Sequence, residues 1–290
     1  MNDDIGGVWR TVGGRRIFIK DGQDIASAMK ESGKFSKNKK SFNEDIKREL
    51  DESVIEYYKK FHKDSEIIKV TSFNIMDNLN QLDEEWKNEN LKTLSELKKE
   101  YYSSAISLGY NEQKNRPNAM GKTSPNDFDM SQLYLLNDTR NKAVHNKYVE
   151  QTIRNGYHPN VNKDDYGKMT VTHEFAHSMM TTTTSNYHKN AFKEVEKIYE
   201  RYKHELSKVK NDLKKAQTDM IMNFSEEKYD IAKQIQDKYD KIMVSEYAYE
   251  NVDEFFAECF VDYRLGNNTS SYSKEVEKVI NKYFKKENVR

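Results

Sequence analysis

The chain has 290 residues, of which 36% are hydrophobic and 33% are charged, and its mean hydropathy is -1.02. This length allows one large domain with a full hydrophobic core, and the polar composition favours an additional solvated helical projection. Because 48 basic residues balance 48 acidic residues, the net charge disfavours general binding to nucleic acid or to a membrane surface.

Cys259 is the only cysteine, which excludes an internal disulfide framework. Its apolar neighbours in the sequence predict a small buried side chain rather than a nucleophile. The acidic start, Met1–Asp4, lacks the basic and apolar regions of a signal peptide, and no apolar run reaches the length of a transmembrane helix. We therefore expect synthesis in a reducing cytosol, without export and without a membrane anchor.

Residues 1–40 are predicted to form a small N-terminal module. Two strands, Val8–Val12 and Arg15–Lys20, flank Gly13-Gly14, a pair favoured in tight hairpin turns with positive φ. A short helix is predicted over Asp24–Lys30. A lone hairpin is marginally stable in water, so it should dock on the rest of the chain or on a partner. The alternative, contact of its basic residues with nucleic acid, is disfavoured by the neutral charge of the whole chain.

Two amphipathic helices are predicted between residues 42 and 105, because apolar residues recur there at spacings of three and four. The first face comprises Ile46, Leu50, Val54, Tyr57, Tyr58 and Phe61, and the second comprises Trp86, Leu91, Leu94, Leu97 and Tyr101. We interpret both as core helices that pack on a sheet, without a catalytic role.

Strands are predicted from about Ser104 onwards. All three prolines of the chain, Pro117, Pro125 and Pro159, lie in this region, which indicates that turns concentrate here. Ala105–Tyr110 and Gln132–Asn137 are the clearer candidates, and Asn118–Thr123 is a weaker one. In the following loop, His158 is predicted to be a hydrogen-bonded loop histidine, with a place in the lining of a cleft as the alternative. These segments predict a small sheet within a mostly helical chain.

The sequence His173-Glu174-x-x-His177 follows. On a helix the two histidines lie four residues apart on one face, so both imidazoles can bind one Zn²⁺ while Glu174 reaches a water on that ion. Three fixed positions are a modest signal, and a surface helix that happens to carry two histidines is the alternative. Asp164 or Asp165 is the predicted N-cap of this helix. Its predicted core-facing residues are Met169, Phe175, Ala176 and Met180.

A long helical hairpin is predicted over residues 188–244, since neither Gly nor Pro occurs between Lys168 and Leu265. Its apolar seam alternates steps of three and four, as in a coiled coil. The pattern breaks at Asn223–Glu226, where Asn223 and Glu226 offer a capping box. We expect two antiparallel arms of about 30 to 45 Å each, which either recognise a partner or substrate or act as a spacer.

The stretch Ser245–Phe260 supplies a candidate third ligand. At helical pitch Tyr247, Asn251, Glu254 and Glu258 form one polar stripe on a half-buried helix. Buried carboxylates are costly unless they are paired or bind a metal. The stripe therefore predicts either a salt-bridged structural helix or, together with the upstream histidines, a metal site. A helix stop at 262–268 and a final helix capped by Ser273 complete the chain.

The two motifs together, His173-Glu174-x-x-His177 and Ser245-x-Tyr247-Ala248-x-x-Asn251-x-x-Glu254-x-Phe256-Ala257-Glu258, resemble those of gluzincin metallopeptidases related to the catalytic domain of anthrax lethal factor. They are still more similar to metallopeptidase domains of phage minor head, head-morphogenesis and mobile-element proteins. The resemblance covers the chain from about Asn118 onwards, and the second motif is the more specific. Ala176 stands where many relatives have Gly.

This resemblance implies a fold and a set of roles. The fold would be α+β and mostly helical, with a zincin-like metallopeptidase core over residues 41–290 that carries a small sheet and the hairpin insertion. Glu254 would be the third zinc ligand beside His173 and His177. Glu258 would support a ligand histidine without binding the metal itself, and Asn251 would also lie next to the ligands without binding the metal. Tyr247 would face the zinc-bound water or the oxyanion. One of the two later strands would pair with an extended substrate.

The resulting hypothesis is a zinc-dependent endopeptidase with Glu174 and Tyr247 as catalytic residues. It would be encoded by a phage or mobile element and linked to head morphogenesis, acting in the cytoplasm of the host cell or in association with the virion. Its partners would be a peptide or protein substrate and phage head or portal proteins, with no nucleic acid and no membrane. The alternatives are a structural phage head protein with a non-catalytic zinc site and a lethal-factor-like protease effector.

Overall fold

The computed structural model describes residues 7–12, 15–20, 81–111, 119–125, 131–180 and 186–288, which are mostly helical with two small sheets. The strands are β1 Gly7–Val12, β2 Arg15–Lys20, β3 Ala105–Asn111, β4 Gly121–Pro125 and β5 Ser131–Leu136. The helices are α1 Glu84–Glu100, α2 Lys142–Arg154, α3 Met169–Met180, α4 Asn186–Met222, α5 Glu226–Ile242, α6 Val252–Leu265 and α7 Ser271–Tyr283. Within these ranges, every helix is too short or too polar to cross a bilayer.

The first two strands form an antiparallel hairpin, which confirms the predicted strand pair. Trp9 lies opposite Phe18, and Val12 lies opposite Arg15. The predicted Gly13-Gly14 turn lies outside the described residues, and so do the helix expected at 24–30 and the apolar face expected at 46–61.

The other sheet has three strands in the order β3-β5-β4. The strands β3 and β5 run parallel, whereas β4 and β5 run antiparallel, with Gly121 opposite Leu135 and Thr123 opposite Leu133. All three predicted strands are present, although β4 begins at Gly121 rather than at Asn118. Among the described strands, β4 is therefore an edge strand with one side free to pair.

The helix α1 begins where Asp83 accepts a hydrogen bond from the Trp86 amide at 2.8 Å. Its apolar face is buried as predicted, and the Trp86 indole donates to the Thr139 carbonyl at 2.6 Å. The face packs on α3 and β3, so this part of the chain does form a core helix against a sheet.

The centre of the core is the contact between α3 and α6. Phe175 of α3 and Phe260 of α6 are both fully buried, and their ring centroids lie 6.2 Å apart. Met169 and Ala176 are also buried and Met180 is partly buried, as the sequence predicted. This packing places the polar sides of α3 and α6 next to each other.

The helices α4 and α5 run antiparallel, with Lys228 bonded to Asp219 near the turn and Lys238 bonded to Glu205 nearer the base. The expectation of two arms of about 30 to 45 Å each is wrong. With 37 and 17 residues, the arms are about 55 and 25 Å long at 1.5 Å per residue. The first half of the longer helix packs on α6 and α7 through buried side chains such as the fully buried Tyr202.

Three predicted helix caps are displaced. A 3₁₀ helix, Lys163–Lys168, runs directly into α3, so Asp164 and Asp165 lie inside the helical stretch rather than at its start. The capping residue of α5 is Ser225 instead of Asn223. The capping residue of α7 is Ser270, which accepts from the Ser273 amide, rather than Ser273 itself.

Candidate functional site

Three side-chain atoms from α3 and α6 converge at one point. The Nε2 atoms of His173 and His177 lie 3.0 Å apart. The Oε2 atom of Glu254 lies 3.1 Å from the first and 3.3 Å from the second. The structure thus brings together the three side chains that the sequence predicted as metal ligands, in one cluster able to hold a metal ion.

The separations fit a tetrahedral ion. Zn²⁺ bonds of about 2.0 to 2.1 Å place neighbouring ligand atoms about 3.3 to 3.4 Å apart, and the three observed separations are close to this value. Two imidazoles and a carboxylate are also a donor set that zinc accepts. The Oε2 atom of Glu254 is buried and has no well-aligned hydrogen bond, despite the two nearby Nε2 atoms. A cation between the three atoms would give it a partner.

The N-terminal end of α6 differs from the predicted continuous helix. Tyr247–Tyr249 form a separate 3₁₀ turn, and α6 begins at Val252. Asn251 is its N-cap, and the Oδ1 atom accepts from the amides of Asp253 at 3.0 Å and Glu254 at 2.9 Å. The side chain of Asn251 satisfies amides that would otherwise be free, which starts a new helix. The prediction of a single polar stripe on one helix is therefore wrong for Tyr247, which lies in the separate turn. Glu254 and Glu258 do share one face of α6.

Glu258 is fully buried and lies behind His173. Its Oε1 atom lies 2.8 Å from His173 Nδ1, and Ser245 Oγ donates to Oε2 at 2.7 Å. His158 Nδ1 lies 3.1 Å from both oxygens. The predicted contact of Glu258 with one of the two motif histidines is therefore present. His158 is hydrogen-bonded, as expected, but sequence reasoning identified neither its partner nor the contribution of Ser245.

These contacts change the pKa values of the buried groups. Burial raises the pKa of Glu258, but the nearby His158 and His173 lower it to about 2. Burial lowers the pKa of His173, but Glu254 and Glu258 raise it to about 10. Burial likewise raises the pKa of Glu254, and the two imidazoles bring it well below its ordinary value. The two carboxylates are thus ionised and surround the His173 ring with negative charge.

Glu174 lies against the edge strand β4. Thr123 Oγ1 is 2.7 Å from Glu174 Oε2 and 2.8 Å from the Glu174 carbonyl oxygen. A Cβ atom added to Gly121 would lie 2.3 Å from Oε1 and 2.7 Å from Cγ of Glu174. Only glycine allows the strand to approach the carboxylate so closely. Sequence reasoning missed both residues, although a glycine within a strand is a signal of close backbone approach.

Tyr247 lies beside the three converging atoms. Its ring is nearly parallel to the His173 ring at 5.8 Å and to the Tyr157 ring at 5.1 Å. Its amide donates to the Tyr157 carbonyl at 3.1 Å, which fixes the turn. Burial, together with the charge of Glu254, raises the pKa of the phenol above its ordinary value. Tyr247 therefore stays protonated at neutral pH and can donate a hydrogen bond.

Two cavities, of about 890 and 710 Å³, meet at this site and share Ala119, Gly121, His173, Glu174 and Tyr247 as lining residues. The larger cavity extends towards α4, where Lys189, Phe192, Lys193 and Glu196 line it. The smaller one extends towards α2 and the following loop, where Tyr148, Thr152, Tyr157 and His158 line it. The cleft therefore continues on both sides of the converging ligand atoms.

Comparisons of this chain with protein-family models, with curated proteins and with solved structures return no match. A functional conclusion therefore depends on the arrangement of the side chains and on the chemistry that these groups support.

Proposed function

We propose that this chain is a zinc-dependent endopeptidase of the gluzincin type, which hydrolyses peptide bonds. One observation carries the proposal: the Nε2 atoms of His173 and His177 and the Oε2 atom of Glu254 converge within 3.3 Å of one another. They do so in a cleft that Glu174 and Tyr247 also line.

In this proposal His173, His177 and Glu254 hold Zn²⁺. When bound, the ion supplies a Lewis acid that lowers the pKa of water towards neutrality and polarises the scissile carbonyl. His177 is the more exposed of the two histidines, with 20% of its side chain accessible against 10% for His173. The open side of the cluster therefore faces the cleft, where a substrate can approach.

Glu174 is the general base and then the general acid. Its carboxylate is held by Thr123 and by the close approach of Gly121, and it lines both cavities. From this position it takes a proton from the attacking water and returns one to the leaving amine. A carboxylate in this place is not needed to hold the metal, so its presence favours catalysis over a purely structural zinc site.

Tyr247 stabilises the oxyanion of the tetrahedral intermediate. The phenol stays protonated, because burial and Glu254 raise its pKa, and the ring is held against His173. A donor fixed in advance next to the developing negative charge lowers the barrier without reorganisation.

An extended polypeptide fits the surroundings of the site. The cleft continues on both sides of the metal ligands, so chain on both sides of the scissile bond has room. The strand β4 is an edge of the described sheet and lies directly on Glu174. Its free edge can add a substrate strand by backbone hydrogen bonds. These two features favour an endopeptidase over an enzyme that removes terminal residues.

The biological setting is inferred from the motifs alone. The resemblance of the Tyr247–Glu258 segment to phage and mobile-element metallopeptidases supports a phage-encoded enzyme linked to head morphogenesis. In that setting the substrates are phage head or portal proteins.

The test uses the purified 290-residue chain. We expect one zinc per chain by elemental analysis and cleavage of an unfolded protein substrate. Glu174→Gln should retain zinc and lower kcat by about 10² to 10⁴-fold. The matched control is Glu227→Gln, an exposed carboxylate on α5 that lines neither cavity and that should keep both zinc and activity.

Two outcomes would count against the proposal. A folded chain that binds no zinc would remove the metal site. Full activity in Glu174→Gln would remove the assigned base. Stoichiometric zinc without cleavage of any protein would instead support the structural alternative.

A further inference from the structure

We propose that Ser245 is a positioning residue, whose hydroxyl fixes both the His173 imidazole and the turn that carries Tyr247. The inference rests on the proposed function, because its effect reaches the metal ligand and the oxyanion donor assigned above. Ser245 is 2% exposed and follows α5, just before the 3₁₀ turn of Tyr247–Tyr249.

The hydroxyl of Ser245 makes two hydrogen bonds with defined directions. It accepts from the Ala248 amide at 2.9 Å, and it lies 2.7 Å from Glu258 Oε2. Because an amide can only donate, the single hydroxyl proton is directed to the carboxylate. Ser245 is itself held from α4, since its carbonyl accepts from the Tyr202 hydroxyl at 3.2 Å.

The bond to Ser245 sets the rotation of the Glu258 carboxylate. His158 Nδ1 lies 3.1 Å from each oxygen of Glu258, so it does not distinguish between them. Ser245 binds Oε2 only, which leaves Oε1 for the ion-pair contact with His173 Nδ1 at 2.8 Å. A fully buried carboxylate depends on all its donors. Without the Ser245 hydroxyl, the carboxylate can turn towards His158 and release the His173 ring.

The same hydroxyl holds the turn next to the metal ligands. Its acceptor bond is to Ala248, the residue directly after Tyr247. The Tyr247 ring in turn lies 5.8 Å from the His173 ring, at an angle of 15°. Loss of one hydroxyl should therefore loosen two groups together, the ligand imidazole and the phenol.

The test compares Ser245→Ala with wild type by two measurements. Zinc affinity is measured by competition with a chromophoric chelator, and kcat and KM are measured on a fluorogenic peptide. We expect zinc affinity to fall by about tenfold or more, as for other groups that orient a ligand histidine. We also expect kcat to fall by about tenfold with little change in KM, because the oxyanion donor acts in the transition state. Ser245→Thr keeps the hydroxyl and should restore both quantities.

The matched control is Ser273→Ala. Ser273 is also fully buried, but its hydroxyl contacts Ser270 at the start of α7. This variant should lower the melting temperature and leave zinc affinity and kcat unchanged. If Ser245→Ala does not fold, Ser245→Cys replaces it, since a thiol is a weak donor.

The inference about Ser245 would be overturned, without affecting the proposed function, if Ser245→Ala bound zinc as tightly as the wild type. It would also be overturned if Ser273→Ala lost as much zinc affinity as Ser245→Ala. The proposed function fails separately if His173→Ala binds zinc as tightly as wild type. It also fails if the zinc-loaded wild type cleaves no protein, and the affinity comparison then still tests Ser245.

Discussion

Gly121 and Thr123 show how two small residues position a much larger carboxylate. The strand β4 approaches Glu174 so closely that any Cβ at position 121 would lie within 2.3 Å of its Oε1 atom. Thr123, two residues on and therefore on the same face of the strand, supplies the hydroxyl that lies 2.7 Å from Oε2. The proposed base is thus fixed from the sheet, while its own helix carries two of the three proposed metal ligands.

We expect Gly121→Ala to reduce kcat/KM by about tenfold or more, because the carboxylate of the proposed base would have to move by roughly 1 Å to clear the added methyl group. Zinc binding should be retained, because the atoms nearest to a Cβ at position 121 belong to Glu174 and not to a proposed ligand. The measurement is peptide cleavage combined with chelator competition.

The control for this prediction is Gly167→Ala, whose Cβ would meet Glu89 at 2.6 Å and Trp86 at 2.9 Å, away from the cleft. It should lose stability but keep its activity per folded molecule. Unchanged cleavage by Gly121→Ala would show that Glu174 does not need the position observed here.

His158 illustrates the limit of sequence reasoning at a single residue. A hydrogen-bonded loop histidine was predicted, and the structure confirms that the ring is bonded. Its partner is Glu258, 100 residues further along the chain. Such a pairing depends on the packing of the loop after α2 against the Tyr247 turn and the end of α6, and no local pattern encodes it.

Asn251 determines where one element ends and the next begins. Helical spacing alone placed Tyr247 and Glu258 on one helix, because the period of 3.6 continues without a break. The Asn251 side chain instead accepts from the Asp253 and Glu254 amides and starts α6 at Val252. This separates Tyr247 into its own turn and places Glu254 in the first turn of α6, so the cap governs the position of a proposed ligand.

We expect Asn251→Ala to cost about 1 kcal/mol of stability, as for other lost N-caps, and to weaken zinc binding by about tenfold. The loss of affinity follows because the first turn of α6, which carries Glu254, would fray. Urea unfolding of the metal-free protein and chelator competition measure the two effects separately.

Ser225→Ala removes a comparable cap, since Ser225 Oγ accepts from the Lys228 amide at the start of α5. It should cost similar stability without any effect on zinc. If both variants bind zinc equally well, Asn251 serves only the helix and has no influence on the metal ligand.

At the scale of the whole molecule, burial of His145 connects stability to pH. His145 is fully buried between α1 and α3, with its ring 5.0 Å from the Trp86 ring and its Nε2 atom 3.0 Å from Thr170 Oγ1. Burial lowers its pKa to about 4, whereas an unfolded chain has the ordinary value of about 6.5. The unfolded state therefore binds more protons between these two values, and stability rises with pH in that window.

We expect the stabilisation that follows from the low pKa of His145 to be complete above pH 6.5. As the pH falls towards 4, the free energy of unfolding should decrease by about 3 kcal/mol in total from this source. Urea unfolding of the wild type and of His145→Gln, measured from pH 7 to pH 4, tests the expectation. Glutamine cannot be protonated, so its curve should lack this component.

The prediction concerns the difference in unfolding free energy between the wild type and His145→Gln at each pH, because other groups, including His173, also titrate. Parallel curves for the wild type and His145→Gln would mean that His145 is as easily protonated in the folded protein as in the unfolded chain.

The sequence by itself determined the identity and approximate place of most elements. Periodicity and glycine placement predicted α1, α3, the helical pair α4 and α5, the hairpin strands and the three strands of the second sheet, since these signals are local. It also supplied the candidate ligands, because residue type and spacing restrict which side chains can bind one ion. Exact helix starts were not fixed in this way, since neighbouring polar residues such as Ser225 and Asn223 compete for the same cap.

Only the tertiary structure decided that the candidate ligands meet. Glu254 is separated from His177 by two long helices, and its approach depends on the packing of Phe175 against Phe260 at the α3–α6 interface. Other long-range contacts place Ser245 and His158 on Glu258, and the packing of β4 on α3 brings Gly121 against Glu174. These contacts join distant parts of the chain, and burial of apolar surface rather than any local pattern holds them together.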